Sequence, residues 1–288
     1  TGIVPFDRKR WAFPASWPAL WRSVRAQRRQ RFDWVIDLQS LARSSLFGWL
    51  ANGQFTIGLD DPREGARGFY DVIVPRPSPQ THAVDWYLEV LPKLNVPVRW
   101  DFEWLPPRAP MAAAVRRRWN VDGRRWIVLL PGARWLNKRW PVDYFAELVQ
   151  RATSHDTNLG FVVLGDAADR ELGRLIAAAA PTQCLDLTGQ TGLAEMVEWV
   201  RLSEFAIGND TGPMHIAAAL GKPVLGLFGP TNPRRTGPYG TQHRTIQHSL
   251  PCVPCMKDYC AYTRPVECLR AITPAAVASY VEAWLGGV

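Results

Sequence analysis

The stretch Phe205-Ala206-Ile207-Gly208-Asn209-Asp210-Thr211-Gly212-Pro213-Met214-His215 decides the fold. Three apolar residues read as a buried strand. A turn with Gly208 and Gly212 follows, and then a helix opening near Pro213. Proline suits the first helical turn, because its missing N–H would be unpaired there anyway. Asp210 or Thr211 stands where an N-cap belongs. Ala217, Ala218 and Ala219 keep the helix slim enough to lie close on a sheet. After Gly221-Lys222-Pro223, Val224–Phe228 reads as the next strand. Strand, helix, strand is the unit that builds parallel sheet. The exposed N–H groups and positive end of such a helix make an anion site suited to a diphosphate. A well-capped structural helix has the same spelling, so the turn needs corroboration from its neighbours.

The same alternation extends outward. Before the turn come strands at Trp126–Leu130, Phe161–Leu164 and Cys184–Leu187, with Cys184 as core. Helices lie between them. One begins at Pro141 with Tyr144, Phe145, Leu148 and Val149 inward, one spans Asp169–Ala180, and one carries Leu193, Met196, Val197 and Val200. A last helix, Pro274–Leu285, shows Val277, Tyr280, Val281, Trp284 and Leu285 on one face. Nearer the N-terminus, Val35–Leu38, Thr56–Leu59 and Asp71–Val74 read as short strands. Val84, Tyr87, Leu88 and Leu91 have helical spacing, and Ile3-Val4-Pro5-Phe6 reads as the end of a strand. Residues 95–110 lose all period and hold Pro97, Pro106, Pro107 and Pro110, a linker signal. The expected architecture is α/β. A first doubly wound domain covers residues 1–105 and a second covers 106–273. The helix of residues 274–288 is expected to pack back on the first domain.

Composition agrees with a folded, enzyme-sized chain. Of 288 residues, 47% are hydrophobic and 21% charged, which excludes disorder and a disulfide miniprotein. No long uncharged apolar run predicts a membrane-spanning helix. Lys and Arg number 34 against 26 Asp and Glu, a formal +8. Nucleic acid, an anionic membrane face or an acidic small substrate all fit that balance. The aromatics do not interleave with the charges as in a stacking groove, so nucleic acid is not expected.

Two more loops fall at carboxyl ends of predicted strands. Pro131-Gly132-Ala133-Arg134-Trp135-Leu136-Asn137-Lys138-Arg139-Trp140-Pro141 places three cations before a helix. Gly229-Pro230-Thr231-Asn232-Pro233-Arg234-Arg235 is the other. Three loops of Gly, Thr, Lys and Arg on one sheet edge predict a nucleotide-diphosphate pocket, where a leaving diphosphate finds its positive charge.

In that order, these loops and the Asn-Asp-Thr-Gly-Pro-Met-His turn resemble glycosyltransferase family 9, the lipopolysaccharide heptosyltransferases. Asp37-Leu38-Gln39-Ser40 through Ser44-Ser45, Arg63-Glu64-Gly65 through Phe69-Tyr70, and His82-Ala83-Val84 resemble the heptosyltransferase I branch. The resemblance implies a GT-B fold, two Rossmann-like domains facing across a cleft. It implies transfer of heptose from ADP-heptose to a Kdo-containing acceptor of the lipid A type, in the cytoplasm and peripheral to the inner membrane. Lys138 matches the lysine near the donor phosphates and is the catalytic residue so implied. Ala133, Arg134, Asp210, Thr211, Gly212, Pro213 and His215 fall at donor positions. Asp166 or Asp169 takes the place of a ribose-binding acid, and Arg63 and Glu64 fall on the acceptor side. Family members open with a strand and a Gly-Asp loop that supplies the catalytic base. No such segment is recognised here, so the first domain is expected to lack one or two strand–helix units of roughly 30 residues each. Asp37 is the nearest acid at a strand end there, with a turn or N-cap role as its plain reading.

The expected reaction is inverting, with a general base activating the acceptor hydroxyl. There is no Asp-x-Asp pair, so neither metal nor another cofactor is expected. The alternatives are a GT-B transferase of another nucleotide-sugar, or a noncatalytic nucleotide-sugar-binding protein. Cys252, Cys255, Cys260 and Cys268 have a spacing open to structural thiols, disulfides or a Cys₄ zinc site. Arg22, Arg25, Arg28, Arg29 and Arg31, with Arg8, Lys9 and Arg10, read as a solvated face or as a contact for lipid headgroups or acceptor anions. Trp11, Trp17 and Trp21 nearby suit an interface or a core.

Overall fold

The computed structural model describes residues 2–5, 13–61, 64–100, 105–119, 121 and 123–286, without the side chain of His155. The chain divides into two compact units, Thr1–Trp100 and Asp101–Val288. The boundary falls inside the Pro-rich stretch, a few residues before the predicted one.

The first unit holds α1 (Trp17–Arg29), β1 (Trp34–Asp37), α2 (Ala42–Leu50), β2 (Phe55–Leu59), β3 (Val72–Val74), α3 (Ala83–Leu88) and α4 (Val90–Lys93). Its three strands form a parallel sheet in the order β1-β2-β3. Ile57 pairs with both Ile36 and Val72. Ile57, Leu59, Val74, Trp86 and Val90 make its core. The helix read from Val84 to Leu91 is two short helices, because the chain re-caps at Glu89 ahead of Pro92. Residues 2–5 form no strand: Ile3 is 96% exposed and no ladder partner reaches it. Trp34 and Ile36 alternate along β1 and stay exposed, as does Leu38 just beyond it.

The second unit holds α5 (Ala109–Trp119), β4 (Arg125–Leu130), α6 (Val142–His155), β5 (Leu159–Val163), α7 (Arg170–Ala177) and β6 (Cys184–Asp186). It continues with α8 (Leu193–Leu202), β7 (Phe205–Asn209), α9 (Gly212–Ala219), β8 (Val224–Phe228), α10 (Pro233–Thr236), β9 (Arg244–Gln247), α11 (Glu267–Arg270) and α12 (Pro274–Leu285). Six parallel strands lie in the order β6-β5-β4-β7-β8-β9. Counted from β4 this is 3-2-1-4-5-6, the Rossmann order, whose ligand crevice opens where the order reverses. Here that point lies between β4 and β7.

Both sheet faces are buried, as expected of parallel strands. Ile127 and Leu129 of β4 enter a cluster with Trp140, Phe145 and Leu148. Trp126, Val128 and Leu130 enter the opposite cluster with Val115, Trp199 and Met214. Helix α12 places Val277 and Val281 in the first of these clusters and lies along α6. The apolar stripe of α12 is consumed by the face of the second unit's own sheet. Helix α5 and strand β9 lie in segments that sequence reading left unassigned. Arg108 and the Arg116–Arg118 run mask the apolar period of α5, and β9 is a short, polar edge strand.

Candidate active site

The crevice opens at the carboxyl ends of β4, β5 and β7. A cavity of about 500 Å³ is lined there by Gly132, Ala133, Arg134, Asp166, Thr211 and Pro213, among others. Five predicted donor residues thus share one wall. Lys138, Asp210 and His215 form a charge network next to it.

The turn after β7 builds that network. Thr211 holds the cap position of α9 in extended backbone, with φ −149° and ψ 161°, and no side chain caps the helix. Neither Asp210 nor Thr211 is the side-chain cap expected from the sequence. The Asp210 carboxylate turns instead to Lys138, whose Nζ donates to Oδ2 at 2.8 Å. His215 Nε2 lies 3.8 Å from Oδ1. Lys138 Nζ also stands 4.5 Å from the centre of the Trp135 ring. Burial pushes the Asp210 carboxyl up. The nearby His215 side chain, the Lys138 hydrogen bond and charge, and the Thr231 hydroxyl near it outweigh it, and they hold the group below its ordinary value. Side chains after β4 and β7 therefore converge on one carboxylate. The α9 N-terminus beside it keeps its N–H groups free of a side-chain cap.

The other cations divide. Arg134 is exposed at the cavity. Arg139 is engaged: its Nε donates to Ala133 O at 3.0 Å and its Nη2 lies 3.5 Å from Asp169 Oδ1. Asp169 is buried against Gly132 and Gly165, where any Cβ would come within 3 Å of its carboxylate. Asp166 Oδ1 accepts the Ala168 N–H at 2.7 Å, and the residue lines the cavity. Both acids considered for the ribose position line the cavity.

Sequence reading did not single out Thr191, Gly192, Leu193 and Met196, which complete the cavity wall at the start of α8. The signal was present, because Thr191-Gly192 occupies the same strand-to-helix position as the other site loops. Asn209 and Thr231, both buried, were quoted only as parts of motifs.

In the first unit Asp37 takes its plain role. Its carboxylate accepts from Gln39 N, Ser40 N, Ser44 Oγ and Tyr70 Oη at 2.8–3.0 Å. Burial, and the Asp37 charge beside it, push the Tyr70 phenol up to about 12, so it remains a proton donor. Glu64 Oε2 accepts the Ala42 N–H at the start of α2. Arg63, Arg8, Lys9, Arg10, Trp11 and Phe6 lie outside the described residues. Trp17 and Trp21 are exposed on α1, as are Arg22, Arg25, Arg28 and Arg29. No described helix is long and apolar enough to cross a membrane.

Cys252, Cys255, Cys260 and Cys268 line one small cavity as free thiols. Among the described residues, no three or more His, Cys, Asp or Glu side chains are gathered as a metal shell. Burial and the three neighbouring thiols push the Cys268 thiol up to about 11. Cys184 is buried in β6, and its thiol is pushed up to about 12.

A crevice of this kind belongs to the nucleotide-binding α/β enzymes. The model of glycosyltransferase family 9 (heptosyltransferase) matches residues 18–264, and the chain belongs to that family and is a glycosyltransferase. Lipopolysaccharide heptosyltransferase 1 of Pseudomonas aeruginosa is 29% identical over 98% of this chain and 83% of its own length. Lipopolysaccharide heptosyltransferase 2 of Escherichia coli is 36% identical over 43% of this chain and 36% of its own length. The GT-B fold is shared with E. coli heptosyltransferase WaaC with ADP, at TM-score 0.73 and 23% identity. That match covers 96% of this chain and 80% of the other. E. coli ADP-heptose lps heptosyltransferase II matches at TM-score 0.72 and 24% identity, over 92% of this chain and 80% of the other.

Proposed function

We propose that the protein transfers heptose from ADP-heptose to the Kdo-containing inner core of lipopolysaccharide, with inversion and without a metal. One observation carries the donor half: Lys138 is held on Asp210 at 2.8 Å beside the uncapped start of α9, at the rim of the crevice. An incoming diphosphate competes for the Lys138 ammonium and meets the free N–H groups of the helix. As the bond to the sugar breaks, charge builds on the leaving diphosphate. The lysine and the helix end stabilise it without reorganising solvent. Leu164, Leu193 and Met196 give the same cavity an apolar wall for a purine face. Asp166 or Asp169 offers a carboxylate to the ribose hydroxyls. Fixed cations take the place that a divalent ion holds in other diphosphate sites.

Support for the acceptor half is the family itself and the names of its lipopolysaccharide relatives. Arg63 and Glu64 are the residues proposed on that side. No acid in this chain is assigned as the general base, because Asp37 is spent on its turn. A lipid-linked acceptor places the work at the cytoplasmic face of the inner membrane. There the exposed Trp17, Trp21 and arginines of α1 suit anionic headgroups.

The test is a titration with ADP, UDP, GDP and CMP, beside Lys138→Ala and Asp210→Ala. ADP-selective binding that both substitutions weaken is the expected result. Donor turnover in Lys138→Ala should fall about 10²- to 10³-fold, the usual cost of losing one such charge, and a chelator should leave turnover unchanged. Preference for another nucleotide would keep the fold and discard heptose. Wild-type kinetics in Lys138→Ala would remove its role.

A further inference from the structure

We infer that Asn209 is a positioning residue: its buried amide clasps both ends of the loop that carries Lys138 and sets that loop against the diphosphate turn. The inference rests on the donor site proposed above. Asn209 is the last residue of β7 and has 0% exposure. Its Nδ2 donates to Pro131 O at 2.7 Å, and its Oδ1 accepts the Trp140 N–H at 2.9 Å. Pro131 is the first residue of the cationic loop and Trp140 the last before Pro141. One planar group therefore closes the loop at its base. The next residue, Asp210, takes the Lys138 ammonium at the middle of the same loop.

The remaining anchors of the loop lead elsewhere. Asn137 Nδ2 donates to Lys257 O, and the Trp140 indole donates to Ile272 O. The β4–β7 ladder ends with Leu130 opposite Gly208, one residue short of the loop. Beyond that ladder, Asn209 and Asp210 join the loop to the turn. The chemistry selects an amide. Pro131 offers a carbonyl and Trp140 an N–H, so the clasp needs one donor and one acceptor on a single short side chain. Leucine leaves both backbone groups unpaired in a buried site. An ionised aspartate turns an acceptor against the Pro131 carbonyl.

This choice gives a signature that a packing role would not. In Asn209→Asp the protonated acid restores the donor to Pro131 O, and burial favours the protonated form. ADP affinity of Asn209→Asp should therefore be low at neutral pH and recover as pH falls toward the carboxylate range. The wild type should lack that limb. Asn209→Leu should lose roughly ten- to a hundredfold in ADP affinity at every pH, the scale of stranding buried polar groups. Both are measured by calorimetric titration on the full chain, with melting temperatures read at each pH. A folded Asn209→Asp with wild-type affinity and a flat pH profile would overturn the inference. Hydrogen exchange at the Trp140 amide in the unmutated protein tests the clasp even if a variant fails to fold. Protection at the level of the β4 and β7 amides is expected, and loop-like exchange would overturn the inference. If the wild type binds no ADP, the donor-site proposal fails, while the exchange result still decides the clasp.

Discussion

Asp210 is the residue on which the site turns, and its environment gives a pH dependence with a definite sign. Its carboxyl is held below the ordinary 3.8 by His215, Lys138 and Thr231, against the opposing effect of burial. A group whose pKa is lower in the folded state stabilises that state above its unfolded pKa. That contribution is lost as pH falls through the folded value. Donor binding should therefore stay level from neutral pH down to about pH 4 and fall only below it. Binding measured across that range checks this, and a loss that sets in well above the carboxylate range would overturn it. The sequence made Lys138, Asp210 and Thr211 legible, because a strand end, a glycine turn and a cation loop leave plain spelling. It left Asn209 and Thr231 unread. Their importance lies in which carbonyl, N–H or carboxylate they meet from other strands.

At the element scale the site depends on how closely β4 and β7 approach. A Cβ on Gly208 would stand 2.6 Å from Leu130 Cβ and 3.1 Å from Leu130 O. Gly208→Ala should push the two strands apart at the switch point and destabilise the fold by about 1–3 kcal/mol. Thermal unfolding measures that cost. A companion ADP titration should show weakened binding, because the turn and the cationic loop then part. A neutral substitution would mean that the ladder yields without moving the loops. Pattern fixed most elements well: β4, β5, β7 and β8 are near-continuous apolar runs, and α6 has a clear stripe. It failed where the pattern is polar or interrupted, at α5, at β9 and at the break between α3 and α4. An apolar stripe, as on α12, states that a face is buried but not against what.

At the scale of the molecule, the second unit contains the whole six-stranded sheet, both large apolar clusters and every donor residue proposed here. A protein of residues 101–288 should fold cooperatively by itself and bind ADP with the affinity of the full chain, without transferring heptose. Circular dichroism melts and calorimetry check both halves of that expectation. A large loss of affinity in a folded fragment would show that the first unit contributes to the donor site. Among the described residues the first unit is smaller, with three strands and a five-residue buried cluster, and its acceptor role rests on resemblance.

The sequence by itself determined the α/β class, the run of parallel strands, the family and the three loops at carboxyl ends of the second sheet's strands. These are local facts: period, turn residues and short motifs are written along the chain. The tertiary structure decided the rest. It drew Lys138 away from free solvent onto Asp210 and turned Arg139 inward to Asp169. It used Asp37 as a turn acid and gave Asn209 both ends of one loop. The Lys138–Asp210 and Asn209 contacts depend on a strand order that sets β4 beside β7, and their partners lie 69 to 78 residues apart in the chain. Hydrogen bonds across that distance leave no period to read, since only the closed sheet brings their partners within 3 Å.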